Sequence, residues 1–591
     1  MESSSTITTT KKPPRSPPPP SSPSLPFITI IPVALLLLLS PFLFHHPHHP
    51  PPPPPPPPPP HPLIKTTCTT TLYPSLCLHT LSSLPLNFHH ENNYNNQTKL
   101  QNILQFAIQK TINRAVKSRS RTAALTLTVQ EVNWVTNCIE LLDQTIYELQ
   151  ESIISIKPLN NGFHPPNYAA VKNLLSAAMT NENTCIEGFS DVIPTQSRRL
   201  GRYFQKSLTP IMRMISNCLA IVNYIENEYI KKSAAAGTRL VSVETRRDHV
   251  PSWMTAADRR LMQTPPPPTV VVAGDGSGNF TTIGAAVSMA PNRSSGRYVI
   301  QIKAGVYSEN VVIPRQKVNI MLVGEGMNST IITGNRNFVD GYTTFTSATL
   351  SVIGNNFLAR DLTIINTSGP EKHQAVALRV TSDAAFYHCQ FISHQDTLYA
   401  HSLSQLYREC AIHGTVDFIF GNAAAIFERC LILVRKPIPG QKNVITAQGR
   451  LDPNQNTGIS LQDCTVMAAP DFSVTERSNF STFLGRPWRN YSRTIVMRSY
   501  LGDIIDPRGW CAWNKYSNLD TVEYIEYMNF GPGADTRNRV QWAGYHNNST
   551  TNFTIQSFLH GANEWLKSTD LPLCSGLYVK DCKTPSAAQV Y

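Results

Sequence analysis

The 591-residue sequence lacks the side-chain patterns of a metal or nucleic-acid site. It has no Asp-rich calcium loop and no Cys/His zinc spacing. The histidines His373, His388, His394 and His413 follow no ligand spacing, so we treat them as structural and expect neither a metal nor a cofactor. Basic residues do not interleave with aromatic residues on a recognisable platform, which argues against nucleic acid as a partner.

The charge balance is basic, with 51 Lys+Arg against 39 Asp+Glu and a formal net charge of +12. A basic surface suits a polyanionic partner, although scattered solvated lysines and arginines would give the same sum. The length predicts more than one domain, each with a sizeable core.

Residues 1–62 resemble a targeting region rather than a domain. Three basic residues within the first 15 precede an apolar run at 27–44, which is near the lower length limit for a membrane span. No small-residue cleavage site clearly follows, so we favour a signal-anchor over a cleaved signal peptide. Uninterrupted proline at 50–60 then predicts an extended spacer. We expect the membrane to be a partner only through this segment.

Twelve cysteines and several Asn-x-Ser/Thr sequons agree with passage through an oxidising secretory route. Sequons also arise by chance, so they support export without establishing it. They include Asn96, Asn279, Asn292, Asn328, Asn366, Asn479, Asn490 and Asn552.

Residues 63–234 have helical periodicity. Leu142, Ile146, Leu149 and Ile153 recur at three and four residues, which places them on one helix face. Short polar joins between such runs favour a four-helix bundle. The other predicted helices are 102–116, 168–179 and 210–229, the last opened by Thr209 as N-cap and Pro210 at the first helical position.

Four cysteines of this region permit a local clamp between Cys68 and Cys77 and an inter-helix clamp between Cys138 and Cys185, although pairing cannot be read from sequence. Cys218 is then left as a small buried side chain. With this cysteine layout and helix spacing, about 170 residues resemble the inhibitor domain of the invertase/pectin methylesterase inhibitor family.

Residues 235–262 read as a linker that ends in a processing site. The dibasic segment Arg259-Arg260-Leu261-Met262 lies in unpatterned sequence just before a new strand pattern. Exposed linkers of this kind are preferred protease targets. We predict cleavage after Met262 by a processing protease.

Residues 263–591 repeat a strand-rich unit with alternating apolar residues. Four of the units carry cysteine at one internal position, at successive intervals of 21, 20 and 34 residues. This pattern favours a right-handed parallel β-helix over a sandwich, which would show tighter hairpin signals. Equivalent cysteines on adjacent turns stack about 4.8 Å apart, so Cys410–Cys430 is the favoured bridge, with a ladder of free thiols at Cys389, Cys410, Cys430 and Cys464 nearly as well supported.

Two aspartates lie one repeat apart, Asp396 in the segment 395–399 and Asp417 in the segment 414–421. Two carboxylates that close cannot both ionise freely, so one can act as acid while the other acts as nucleophile. Arg486 can clamp a carboxylate through two hydrogen bonds and keep Asp417 ionised. A lone Asp beside a turn is usually only a loop cap, and the pairing carries the inference.

Gln374 and Gln395 come from nearby turns and could direct amide N–H groups at a developing oxyanion. Trp488 and Trp510 offer flat faces for sugar rings. Taken singly, Gln374 could be a satisfied core amide and Trp488 could be plain packing.

The motifs around these residues closely resemble those of plant pectin methylesterases (pectinesterases), in family order across residues 269–591. The inhibitor-like half ahead of them is similar to the two-domain precursors of that family. The matching segments are 305–309, Thr344-Phe345 with 347–349, 373–379, 395–399, 414–422 and 484–488.

The resemblance implies hydrolysis of the C6 methyl ester of galacturonate in methyl-esterified homogalacturonan, or pectin. It implies that Asp417 attacks the ester carbonyl, that Asp396 is proton donor and then base, and that Gln395 and Gln374 hold the oxyanion while Arg486 orients Asp417. The family disulfide maps onto Cys410–Cys430. The expected substrate-binding residues are Thr344, Phe345, Gln374, Tyr399, Phe420, Arg486, Trp488 and Trp510.

The resemblance also implies a secreted cell-wall enzyme whose precursor, anchored by 27–44, carries an autoinhibitory or export-controlling pro-domain. Separate pectin methylesterase inhibitor proteins are candidate partners. The sequence departs from the family at His394, where an aromatic residue is usual, and at Cys511. Two other readings stay open: a different pectin-active β-helix, either a lyase or a polygalacturonase, and a non-catalytic inhibitor or wall-binding protein.

Overall fold

The structure is a computed structural model that describes residues 61–84, 96–156, 167–189, 197–235, 267–515, 517 and 519–547. The apolar run 27–44, the proline tract, the motif Arg259–Met262 and the sequon Asn552 lie outside the described residues. The domain boundaries stay predictions.

The N-terminal half is helical, and its four long helices form a ring in which each packs against two neighbours. The predicted four-helix bundle is therefore confirmed. Two short helices precede it. The bounds are α1 Pro62–Thr69, α2 Pro74–Leu81, α3 Asn96–Ala123, α4 Val129–Ile156, α5 Tyr168–Glu187 and α6 Ser197–Ala235.

The predicted start of the last helix is wrong, because α6 begins at Ser197 and runs through Pro210. An interior proline costs about 3 kcal/mol. The apolar face nevertheless continues across it, since Phe204, Leu208 and Ile211 are all fully buried. Each such side chain contributes about 1.5–3 kcal/mol on burial, so the shared face outweighs the break.

Both expected clamps of the helical half are confirmed. Cys68 and Cys77 join α1 to α2, and Cys138 and Cys185 join α4 to α5. The second bridge closes a loop of 47 residues. A loop of that length is worth about 4 kcal/mol in the chain-entropy model. Cys218 is free and buried, as expected.

The C-terminal half is the predicted parallel β-helix, in which the central turns give one strand to each of three sheets and every strand pair of the described residues is parallel. The first sheet, in spatial order, is β1 Val270–Val272, β2 Tyr298–Ile302, β5 Ile320–Val323, β8 Phe357–Arg360, β11 Ala384–Tyr387, β14 Ser404–Arg408, β17 Ala424–Glu428, β20 Gly458–Gln462, β23 Arg493–Met497, β25 Glu523–Tyr527 and β26 Tyr545–His546.

The second sheet, which we call the cleft sheet, is β4 Val311–Ile313, β7 Leu350–Val352, β10 Leu378–Val380, β13 Leu398–Ala400, β16 Ile419–Gly421, β19 Asn443–Gln448 and β22 Thr482–Gly485. The third is β3 Gly305–Ser308, β6 Thr330–Gly334, β9 Thr363–Asn366, β12 Gln390–Ile392, β15 Ala411–Gly414, β18 Leu431–Val434, β21 Thr465–Ala468 and β24 Tyr500–Leu501. Two short helices accompany the sheets, α7 Ile283–Met289 and α8 Val474–Arg477.

Each predicted repeat unit is a bent pair of strands. Between β11 and β12 the chain turns at His388, which has a φ of 51°, and Glu409 and Arg429 turn the next two units at 51° and 53°. A single left-handed residue redirects the chain from the first sheet to the third. The cysteine that follows each corner therefore points into the core.

The interior is filled by stacked rungs of equivalent side chains. Phe386, Tyr407 and Phe427 lie on successive turns with ring centroids 5.1 and 4.6 Å apart and nearly parallel planes. These residues belong to a core that draws its buried members from residues 272–524 alone. The β-helix thus has a core of its own, separate from the core of the bundle.

The predicted Cys410–Cys430 disulfide is wrong, because both cysteines are free and buried. The Cys410 thiol donates to the Arg408 carbonyl at 3.3 Å, and the Cys430 thiol donates to the Tyr407 carbonyl at 3.3 Å. Each thiol thus satisfies a backbone acceptor within the stack. The alternative ladder of free thiols, with Cys389 and Cys464, is the one that the structure forms.

Candidate active site

Asp396 and Asp417 lie at equivalent positions on adjacent turns of the β-helix. β13 pairs with β16 so that Leu398 is opposite Ile419, and each aspartate precedes its strand by the same two residues. The Asp396 amide donates to the Val416 carbonyl at 3.0 Å, which ties the two turns together. Both side chains are nearly buried, with 7% and 5% exposure.

Both aspartates have a left-handed backbone, with φ of 64° and 51°. Aspartate tolerates this region better than most residues do, and a turn there directs its carboxylate toward the cleft sheet. Gly414 allows the second turn, because a Cβ at that position would lie 2.2 Å from the Cβ of Phe418. The local sequence thus permits the sharp approach that positions Asp417.

Arg486 holds Asp417 through two hydrogen bonds, from Nε to Oδ1 at 2.8 Å and from Nη2 to Oδ2 at 2.5 Å. Arg486 follows β22, two strands beyond β16 in the cleft sheet. Burial raises the pKa of Asp417, and the positive charge of Arg486 opposes that rise. The ion pair therefore stabilises the charged form of a carboxylate that has lost its water.

Gln374 and Gln395 form the neighbouring rung. Their backbones pair as an isolated parallel bridge, so the two amide side chains leave adjacent turns at the same level. Within the described part of the chain, the buried Oε1 of Gln374 has no hydrogen-bond partner. This amide is therefore not a satisfied core group.

Aromatic side chains form one wall beside the carboxylates. Tyr399 stacks on Phe420 with centroids 4.2 Å apart, and Trp488 meets Phe420 at 5.9 Å. Phe345 meets Tyr399 edge-on at 6.5 Å. Tyr399 and Phe420 share one register position of the cleft sheet, so both point outward from the coil. Flat apolar faces at this place suit a sugar chain.

The expected role of Trp510 is wrong. Its side chain is 1% exposed, stacks on Tyr524 at 4.4 Å and donates its ring N–H to Glu526, so it belongs to the core. Trp513 lies at the site instead, with the Arg486 guanidinium 4.2 Å from its ring centroid. The sequence offered two tryptophans three residues apart, and nothing in that spacing showed which one faces the cleft.

A cavity of about 230 Å³ joins these groups. Apart from Trp510, every catalytic or substrate-binding residue expected from the sequence lines it, together with Trp513. Those residues are Thr344, Phe345, Gln374, Gln395, Asp396, Tyr399, Asp417, Phe420, Arg486 and Trp488.

The helical bundle closes the other side of this cavity, which the sequence did not predict. Its lining includes Trp134 and Leu141 from α4, Thr184 from α5, and Phe189. The buried core of the bundle is continuous with Tyr399 and Phe420 of the cleft. The helices therefore cover the carboxylates.

Polar contacts fix the bundle on the β-helix. The Arg489 guanidinium pairs with Glu187, and Arg315 lies 3.7 Å from Glu148. Hydrogen bonds join Asn173 to Ser404 at 2.7 Å, Thr184 to His401 at 2.9 Å, Thr180 to Asn422 at 2.9 Å, Ser216 to Asp452 at 2.5 Å and Asn223 to Asn454 at 2.9 Å.

The two departures from the family pattern lie behind the cavity wall. His394 is 3.5 Å from Arg435, and burial followed by that positive charge lowers its pKa to about 4. Cys511 is free and packs against Val444 and Phe483. Neither residue lines the cavity.

A carboxylate held by an arginine fork, a second carboxylate one turn away and amides beside them are the groups that acyl transfer needs. The arrangement supports attack on an ester carbonyl and protonation of the departing alcohol. Within the described ranges, no cluster of three or more His, Cys, Asp or Glu side chains comes together as a metal site.

Comparison with known proteins gives two family matches. Residues 269–562 match the pectinesterase family model, and residues 62–221 match the model for plant invertase/pectin methylesterase inhibitor. "Pectinesterase 3" of Citrus sinensis is 42% identical over 526 residues, covering 88% of this chain and 89% of that protein. "Pectinesterase/pectinesterase inhibitor 3" of Arabidopsis thaliana is 39% identical over 558 residues, covering 88% and 91%.

Among solved structures, "Pectin methylesterase from Carrot" is 52% identical with a TM-score of 0.51. It covers 52% of this chain and 98% of the carrot chain. A β-helix of this kind therefore exists as a folded chain without a helical bundle, in agreement with the separate core of residues 272–524.

Proposed function

Since the chain belongs to the pectinesterase family, we propose that Asp417 is its nucleophile and Asp396 its acid and base. The protein is a carboxylic ester hydrolase that acts on pectin. An inhibitor-type domain precedes its esterase domain in the same chain. The observation that carries the assignment is the clamp of Arg486 on Asp417, with Asp396 one turn away. The arginine keeps negative charge on Asp417, which leaves Asp396 to carry the proton.

In the first half-reaction, a carboxylate oxygen of Asp417 attacks the carbonyl carbon of the C6 methyl ester. Negative charge develops on the carbonyl oxygen, where the amide N–H groups of Gln374 and Gln395 would donate. Asp396 passes its proton to the departing methoxide, so methanol leaves and an acyl-enzyme anhydride remains on Asp417.

In the second half-reaction, Asp396 is ionised and takes a proton from water while that water attacks the acyl carbon. The bond to Asp417 breaks, which restores its carboxylate and leaves Asp396 protonated, and the released galacturonic acid loses its proton to the solvent. Throughout, Arg486 would hold Asp417 in place, while Thr344, Phe345, Tyr399 and Trp488 would line the path of the polysaccharide.

A methanol-release assay tests this assignment on residues 263–591, the part with its own core and a folded carrot counterpart. We expect methanol from methyl-esterified pectin in EDTA, without shortening of the chain. Asp417→Asn and Asp396→Asn should each lower kcat by at least about 10³-fold, because each removes a participant in bond making or proton transfer.

Other outcomes would identify the alternatives. Unsaturated products or new reducing ends would indicate a lyase or a polygalacturonase. Equal methanol release from the wild type and both asparagine variants would remove the two aspartates from the mechanism. No methanol from any of them would favour a non-catalytic inhibitor or wall-binding protein.

We also propose that the bundle inhibits the cleft in cis until the linker is cut. The support is that Trp134 and Leu141 of α4 share one cavity with Asp396 and Asp417. Cleavage after Met262 by a processing protease would release the cover. We place the precursor in the secretory pathway, anchored by 27–44, and the cut enzyme in the cell wall.

A further inference from the structure

Arg379 is a buried cation on the cleft sheet that the proposed mechanism does not use. It occupies the same register position as Tyr399, one strand farther along at β10, and so points outward from the coil. Its side chain is 5% exposed, and its guanidinium carbon lies 3.6 Å from the ring centroid of Phe345. Within the described part of the chain, its buried Nε and Nη1 have no hydrogen-bond partner.

Unpartnered guanidinium N–H groups are costly when buried, so their presence calls for a cause. The surroundings are those of a ligand site. Phe345, Tyr399 and His401 pack edge to face with centroids 5.1–6.5 Å apart and form an aromatic cluster beside the cation. A cation next to aromatic faces is a combination suited to an acidic sugar.

The cover over this cluster comes from the bundle. The Thr184 hydroxyl of α5 lies 2.9 Å from Nε2 of His401. Burial lowers the pKa of Arg379, and the carboxylate of Glu140 on α4 acts in the opposite direction. The bundle thus contributes the negative charge of Glu140, which acts on Arg379, and its Glu187 pairs with Arg489.

We propose that Arg379 binds a free galacturonate carboxylate of the pectin chain, at a subsite next to the one where the ester is cleaved. The inference rests on the proposed function and on departure of the bundle. An arginine fork matches a carboxylate with two parallel hydrogen bonds, and a methyl ester has no negative charge to offer it. Phe345 would support both the guanidinium and the sugar ring.

The subsite makes the enzyme sensitive to its own product. A methyl ester flanked by a de-esterified residue would bind better than one flanked by esters. Since a hydrogen bond to a charged group is worth about 1.5–3 kcal/mol, the preference in kcat/KM is about 10- to 150-fold. Each turnover creates a carboxylate that favours reaction at a neighbouring ester.

The experiment compares two defined substrates with residues 263–591: a fully methyl-esterified oligogalacturonide and one of equal length with a single ester among free carboxylates. The variants are Arg379→Met, which keeps an apolar stem on Phe345, and Arg379→Lys, which keeps a charge. We expect Arg379→Met to lose at least about 10-fold in kcat/KM on the partly de-esterified substrate and much less on the full ester. Arg379→Lys should regain part of the preference.

A second readout is competition by de-esterified trigalacturonate, whose inhibition constant should rise at least about 10-fold in Arg379→Met. Arg537→Ala, an arginine with 86% side-chain exposure, is the matched control and should change neither readout. Circular dichroism and melting temperature verify that each variant is folded.

The proposal is overturned if Arg379→Met loses equally on both substrates, because Arg379 then only supports Phe345. It is overturned as well if folded Arg379→Met is inhibited by trigalacturonate as strongly as the wild type. A wild-type enzyme that releases no methanol from either substrate would instead refute the proposed function, and direct binding of trigalacturonate, measured by calorimetry on the wild type and Arg379→Met, would still test the subsite.

Discussion

A buried carboxylate keeps its negative charge only where a cation compensates for the water that it has lost. Asp417 meets this condition through the two hydrogen bonds from Arg486. Removal of either partner would leave an unpaired charge in a nearly dry site. The chemistry of the site therefore depends on the geometry of one arginine fork.

Arg486→Lys should separate charge from geometry at this position. A lysine keeps the positive charge but cannot donate two parallel hydrogen bonds, so we expect kcat to fall by about 10- to 100-fold. Burial already raises the pKa of Asp417 and Arg486 opposes it, so a weaker partner lets that pKa rise. Because the nucleophile works ionised, the acid limb of the kcat profile should move to higher pH.

The measurement is the pH dependence of methanol release by residues 263–591, with Arg537→Lys as control. An acid limb that stays at the wild-type pH in Arg486→Lys would contradict the electrostatic role of this arginine.

Single residues also show where sequence reasoning reached its limit. The aspartates and the glutamines could be predicted because each pair lies one turn apart, and Arg486 because its motif resembles that of the family. Trp510 and Trp513 could not be separated, because the choice depends on Glu526, which accepts the ring N–H of Trp510 inside the coil. Cys410 and Cys430 stack as expected, but spacing alone does not distinguish thiols bonded to carbonyls from a disulfide.

At the scale of elements, the β-helix could be predicted from its repeats, because every unit needs a corner and an inward-facing residue at the same place. Helix boundaries were less predictable. Pro210 has the local signature of a helix start, yet Phe204 and Ile211 extend one buried face through it. At this place the free energy gained by burial outweighs the preference of proline for the first position of a helix, which is the signal visible in the sequence.

Within the bundle, Glu182 should make helix stability depend on pH. Its side chain is 1% exposed, and neither carboxylate oxygen has a hydrogen-bond partner within the described residues. Burial raises its pKa to about 8 from a reference value of 4.5. The folded state therefore binds the proton more tightly, and the stabilisation present below about pH 4.5 is lost as pH rises toward 8.

Glu182→Gln removes that titration at nearly constant shape. We expect the free energy of unfolding of the wild-type bundle to fall by on the order of 2–5 kcal/mol between pH 5 and pH 8. The measurement follows the helical transition of the full chain by circular dichroism at 222 nm. The variant should lose much less and be the more stable protein at pH 8. Glu228→Gln, at a partly exposed site, is the control. An equal pH dependence in Glu182→Gln and the wild type would show that this carboxylate is not the source.

At the scale of the whole molecule, the closed cleft could not be predicted from the sequence. The contacts that close it join residues far apart in the chain, such as Asn173 with Ser404 and Ser216 with Asp452. None of these side chains belongs to a catalytic motif, and each is an ordinary polar residue of a helix, a strand or a loop. Their joint effect appears only when the bundle lies on the cleft sheet.

Inhibition by the bundle can be tested by weakening its contact with the β-helix while the catalytic residues stay unchanged. Arg259→Ala with Arg260→Ala provides an uncut chain, in which Thr184→Arg places a cation beside His401 and near Arg379. Like charges brought together at a buried contact cost several kcal/mol, so methanol release by this uncut chain should rise at least about 10-fold toward that of the cut enzyme.

Thr136→Arg, on the exposed side of α4, should leave the uncut chain inhibited. Thr184→Val, which removes only the hydroxyl, should have a smaller effect with the helices intact by circular dichroism. If the uncut wild type already matches the cut enzyme, or if Thr184→Arg activates no more than Thr136→Arg, the bundle does not hold the cleft closed through this contact.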